Sequence, residues 1–200
     1  MFKHGLIALL LSSFCCSAQL ARISVYEFRW ALWHPFAAVK VNKITKTCDL
    51  LVREKSIYIP LDNFTNGGKA DAFRHCFYMG ACAQKIKVKK LRKLGQAHEK
   101  GNYRQFLRWQ KEEGELPDSL ASVMDLQNNE LGFRLGGANK KIELQELLAL
   151  VISEINQGTA LIMRRDKAGN YIDCNGKKIH IDPQIKTWNL PKCLVTSNSP

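Results

Sequence analysis

Apolar residues recur along the chain at spacings of three and four, broken by Pro, Gly and Asn, and this period predicts a mainly α-helical protein. Residues 24–52 read as a short helix, a turn at His34-Pro35, and a second helix that turns Phe36, Val39 and Leu50 or Leu51 inward. Residues 56–68 hold a brief strand-like run and then a loop ending in Gly67-Gly68. Residues 69–86 form a helix that is apolar nearly all round, as a buried helix is. Its exceptions, Asp71, Arg74, His75 and Tyr78, fall at i, i+3, i+4 and i+7 and make one polar stripe. The spacing next predicts a helix over 91–102 that stops at Gly101, then an amphipathic stretch over 103–113. A further helix starts from a cap at Asp118 or Ser119 and runs to Gly136-Gly137, with Glu130 and Arg134 as a surface pair. The most regular helix covers 140–158 and stops at Gly158. Beyond it "ALIMRR", "NYIDC" and "KKIHID" are short β-like runs separated by turn residues. The expected fold is a single-domain helical bundle over 19–158, followed by a small β-hairpin or meander and a tail over 159–200.

The N-terminal pattern changes this picture. "MFKHGLIALLLSSFCCSAQ" has a basic start, an apolar run too short to span a bilayer comfortably, and small residues at Ser17 and Ala18. Residues 1–18 therefore read as a signal peptide, and the mature chain is expected to be periplasmic or secreted with no transmembrane segment. Cleavage leaves Cys48, Cys76, Cys82, Cys174 and Cys193, an odd number in a compartment that permits disulfides. Cys174 with Cys193 is the expected bridge, stapling a tail with little pattern of its own, and Cys48 pairing with Cys76 or Cys82 is the weaker expectation. The formal net charge is +12, and "KIKVKKLRK" at 85–93 concentrates it in what reads as a solvated linker. Such a patch suits an anionic polymer, a lipid surface or nucleic acid.

Candidate chemistry comes from polar residues where apolar ones are expected. Asp71, Arg74 and His75 form one group, His98 and Glu99 a second, and Asp125, Asn128 and Asn129 a third beside the apolar stripe of their own helix. Buried polar groups need partners, so three such helices are most simply explained by facing one another. Three uses compete. As a metal site, His75 and His98 with Glu99 or Asp125 supply the ligands that zinc or another divalent metal accepts. In a metal-free acid–base site Asp71 orients His75, and His75 or Glu99 moves the proton, while Asn128 and Asn129 hold a substrate oxygen. In a structural network the same residues satisfy one another and set helix register.

Three segments, "GKADAFRHCFYMGACAQKI", "LGQAHEKGN" and "MDLQNNELGFRLG", resemble the D-A-F-R-H, A-H-E and M-D-L-x-N-N-x-x-G pattern of an uncharacterised helical bacterial domain family. That family occurs in secreted proteins and at the C-termini of polymorphic and Rhs-type toxins. The resemblance covers about residues 60–137 and falls on Asp71, Arg74, His75, His98, Glu99, Asp125, Asn128, Asn129 and Gly132. At Gln127 the family pattern more often has His or an aromatic. The resemblance implies an exported, hydrolase-like or toxin-like activity on envelope material or nucleic acid, with an immunity partner conceivable. The expected catalytic set is His75, Asp71, His98, Glu99 and Asp125, with Arg74, Asn128 and Asn129 binding substrate and His75, His98 and Asp125 as the metal set. The rival from another class is a non-catalytic, basic envelope-binding or inhibitor protein whose polar cluster is structural.

Overall fold

Helix α1 (Val25–Trp33) starts at a capping box, in which the Ser24 side chain accepts from the Glu27 backbone and Glu27 accepts in return. His34 ends it, and Pro35, whose missing N–H costs nothing in a first turn, opens α2 (Pro35–Glu54). In the computed structural model, which describes residues 23–57, 61–111, 114–182 and 184–199, four more helices follow. They are α3 (Lys69–Ala83), α4 (Val88–Leu107), α5 (Ser119–Ala138) and α6 (Leu144–Gln157). The N-terminus of α3 is capped from a distance, by the Asp62 carboxylate accepting from the backbone of Lys69 and Ala70. Asp118 caps α5 through the backbone N–H groups of Leu120 and Ala121. Gly158, at φ +88°, stops α6 in the left-handed conformation that glycine tolerates. Strand β1 (Leu161–Met163) pairs antiparallel with β2 (Leu194–Thr196), so the fold is mainly α with a small C-terminal sheet, as expected. The signal-peptide reading falls on residues 1–18, outside the described residues.

Several local expectations are corrected. Gly101 does not stop a helix: α4 runs through it, because a Cβ there would stand 2.7 Å from the Ser24 Cβ and glycine lets α1 approach. Residues 88–93 are the first turns of α4, not linker. The sheet is not a hairpin of neighbouring runs; the tail supplies β2, and "NYIDC" and "KKIHID" contribute isolated bridges at Arg165–Tyr171 and Ile172–Lys178. Glu130 pairs with Arg92 of α4 instead of Arg134. Leu51 is buried, whereas Phe36, Val39 and Leu50 are exposed. The Cys174–Cys193 bridge is present, and Cys48, Cys76 and Cys82 are buried free thiols, so the second pairing does not form. Burial raises the pKa of all three. Among the described residues no helix is long and apolar enough to cross a membrane.

Helix α3 is central, packing on α2, α4, α5 and α6. Phe73, Cys76 and Phe77 meet Cys48 and Val52 of α2 and Leu147, Val151 and Ile155 of α6 in the main core. A second cluster gathers Trp30, Cys82, Leu91 and Phe133. Between α3 and α5 the backbones nearly touch: a Cβ at Gly132 would run into the Cys76 carbonyl, and one at Gly136 into that of Gly80. Backbone cannot yield as a flexible side chain can. Gly136→Ala is therefore expected to destabilise by roughly 1–3 kcal/mol or more. Gly137→Ala, with nothing within 4 Å, should be neutral or stabilising by up to about 1 kcal/mol. Thermal denaturation of the two variants checks the contrast.

Candidate functional site

The close approach of α3 and α5 brings short polar side chains together. His75 Nδ1 lies 3.2 Å from Asn129 Oδ1, and its Nε2 lies 3.4 Å from Asp71 Oδ1 and 3.3 Å from Asp125 Oδ1. Neither carboxylate contact has the alignment of a hydrogen bond, and Nε2 and Asp125 Oδ1 are both sealed from solvent. Asp71 is held on its other side by the Gly67 backbone N–H at 2.7 Å and by the Arg74 guanidinium at 2.7 Å. Asp71, Arg74, His75 and Asp125 form the inner wall of a small cleft, with Asn129 behind the ring outside its lining. Helix α4 adds His98 and Asn102, α5 adds Ala121 and Ser122, and loops add Asn66 and Leu116–Asp118. The cleft volume is about 30 Å³. That is room for roughly two waters, or for a small group of a larger ligand.

The electrostatics favour positive charge at Nε2. Asn129 offers an oxygen to Nδ1, so Nδ1 carries a proton; a neutral ring would then aim the Nε2 lone pair at two carboxylates. Burial works against a charged His75, but the fields of Asp125 and then Asp71 outweigh it and lift its pKa to about 9. Burial raises the carboxyl of Asp125, and Asp71 and Glu99 add repulsion against the attraction of His75. Burial also opposes charge on Asp71, yet His75, Arg74 and the Gly67 N–H together hold its pKa low. The two aspartates therefore share one imidazolium unequally. Asp118 is balanced separately, by Lys192 at 2.7 Å.

The convergence is partial for the other residues named from sequence. His98 lines the same cleft, but its Nδ1 lies 3.1 Å from Glu27 of α1 and it is not in the compact ligand group. That group is Asp71, His75 and Asp125, whose ligand atoms lie within 4.8 Å of one another, and it could hold a metal ion. Asp71 thus stands where His98 was expected. Glu99 is buried, accepts from Asn102, and leaves Oε1 without a partner. The amide of Asn128 is committed to β1, accepting from Leu161 N and donating to Leu161 O, both at 2.9 Å, and so faces away from the cleft. Tyr78 leaves the stripe to donate to Asp49 of α2. Sequence reasoning missed Asn102, although it follows His98 at i+4, and Glu27, whose capping role gave no sign of its reach to His98.

Residues 28–159 match a family described as a domain of unknown function, DUF6973. The chain belongs to this family. The DUF6973 match extends beyond the 60–137 motif region at both ends, and it contains Asp71, His75, His98, Asp125 and Asn129. Glu27, Lys192 and the Cys174–Cys193 bridge lie outside it. No curated protein and no solved structure matches the chain.

Because the pKa of His75 is raised, its charge stabilises the fold fully below pH 6.5, and that contribution is lost as pH rises through about 9. In metal-stripped protein, NMR titration of the His75 ring should give a midpoint near 9, and Asp125→Asn should move it down toward 6.5 by removing the strongest field that raises it. A midpoint unmoved by Asp125→Asn would sever the pairing.

Proposed function

We propose that this protein is an exported hydrolase-like domain, of the kind used as a toxin effector, acting on an envelope or nucleic-acid component. One observation carries the reading: an imidazole wedged between two buried carboxylates and an amide at the wall of a cleft, with Arg74 a third exposed on its rim. Asp71 and Asn129 orient the ring, and the Asp71/Asp125 field favours a proton between Nε2 and Asp125; because Nε2 is enclosed, that proton passes to a leaving group through Asp125, which lines the cleft. Asp125, with its oxygen facing that proton, is the partner through which the proton is exchanged. Arg74 supplies positive charge for a developing oxyanion or a phosphoryl oxygen. Export is supported by the N-terminal sequence pattern and by a disulfide compatible with an oxidising compartment. The sequence resemblance to toxin C-termini supports the effector role.

A metal reading rests on the same atoms. Asp71, His75 and Asp125 offer two oxygens and one nitrogen to zinc or another divalent cation, which would supply Lewis acidity in the cleft. A metal at this group would take the place of the proton at Nε2. Elemental analysis of purified protein separates the two, and stoichiometric metal that is lost on Asp125→Asn selects the second.

His75→Gln is expected to lower turnover by about 10²–10⁴-fold with the fold retained, measured against a panel of envelope polymers, lipids and nucleic acids or as growth inhibition on export. Asn128→Ala should instead lower thermal stability by roughly 1–3 kcal/mol, because β1 loses its clamp. Full activity in folded His75→Gln, with activity lost on charge reversal of Lys87, Lys89 and Lys90, would replace the catalytic reading with the basic binding protein.

A further inference from the structure

The corner between α1 and α2 carries apolar side chains that the fold leaves outside. Trp33 is 82% exposed and Phe36 81%, and they flank His34 and Pro35 at the turn. Phe28 and Leu32 on α1 and Val39 on α2 are exposed as well. Large aromatic side chains are normally well buried, so two that stand almost free at this corner find no packing role among the described residues. The exposed face of α2 continues from Phe36 and Val39 into Lys40, Lys43 and Lys46 at helical spacing, and Arg29 is exposed on α1. Residues 28–48 contain no Asp or Glu. Glu27, just before this stretch, turns toward Ser24 and His98. Trp30 Nε1 donates to the Lys90 carbonyl at 2.9 Å, which sets the basic start of α4 beside α1.

We propose that this corner docks the protein on an anionic lipid bilayer, with Trp33, Phe36 and their aliphatic neighbours entering the headgroup region and Arg29, Lys40, Lys43 and Lys46 holding acidic headgroups. Aromatic and aliphatic residues interleaved with cations, and free of acids, are what the membrane interface favours. Protruding side chains need a soft partner that closes around them. A second copy of the chain would set the same four cations against one another across a two-fold interface. Nucleic acid would use the cations and could stack on the rings, but it leaves Leu32 and Val39 without a role. The inference does not rest on the chemistry assigned to His75.

The test is co-sedimentation of the protein, expressed from its full sequence, with vesicles of phosphatidylcholine alone or mixed with phosphatidylglycerol. Preferential binding to the anionic vesicles, weakening with salt, is expected. Trp33→Ala/Phe36→Ala should weaken it by about tenfold or more while leaving the melting temperature unchanged, since both side chains are already in solvent. Lys40→Glu/Lys43→Glu/Lys46→Glu should abolish the preference for anionic lipid, and His75→Gln should bind like the parent. The proposal is overturned by failure to bind anionic vesicles, by binding that survives the aromatic double substitution, or by equal binding to both vesicle types. Dimerisation abolished by that double substitution, or binding to single-stranded DNA but not to vesicles, overturns it too.

Discussion

The near-contact of two helix backbones governs this molecule. Asp and Asn side chains are short, and they reach across to an imidazole only if the axes that carry them almost touch. Gly132 and Gly136 on α5 and Gly80 on α3 permit that approach, and the Cys76 thiol confirms the register by donating to the Asn128 carbonyl. His75 is the residue before Cys76, and Asn129 the residue after Asn128, so the register that fits the glycines also aligns the polar stripes. Larger residues at the glycines would separate the helices and leave Asp125 and Asn129 short of the ring.

Proximity brings an electrostatic consequence. Burying acidic side chains from two helices beside a single imidazole leaves the cluster in need of positive charge, which explains why the fields of Asp125 and Asp71 favour a cation at Nε2. The rest of the cleft is braced from far along the chain. Asp118 caps α5 with one oxygen and takes Lys192 with the other, Ser119 N donates to Trp188 O, and Lys192 directly precedes the bridged Cys193. The tail thus secures the Leu116–Asp118 part of the cleft lining. Arg165, stacked on Phe64 and Tyr171 and donating to the Asn66 carbonyl, does the same for the loop before α3.

Periodicity made the helices legible because burial of one face is a repeating constraint that each turn restates. Glycine and the chain ends were not legible in the same way. A glycine that ends a helix and one that admits a neighbour look alike in sequence, so Gly101 read as a stop and divided α4. Leu194–Thr196 is too short to show alternation and becomes a strand only when β1 is beside it. In the candidate site, stripe spacing found Asp71, His75, Asp125 and Asn129 because helix geometry alone sets which residues share a face. It could not distinguish Asn128 from Asn129, which are adjacent on α5 and serve opposite sides, nor foresee that His98 would turn to Glu27. Phe36 and Val39 were read as inward since apolar character marks a face without saying what covers it.

The cysteines bear on how the chain avoids mispairing. Three reduced thiols deep among the helices coexist with one oxidised pair near the C-terminus. Cys48, Cys76 and Cys82 lie in the helix cores, whereas Cys174 and Cys193 stand 19 residues apart in the C-terminal segment. Packing in the folded chain withdraws the three thiols from any oxidant and from the bridged pair. Correct pairing is then kept by burial, without a mechanism that distinguishes one sulfur from another.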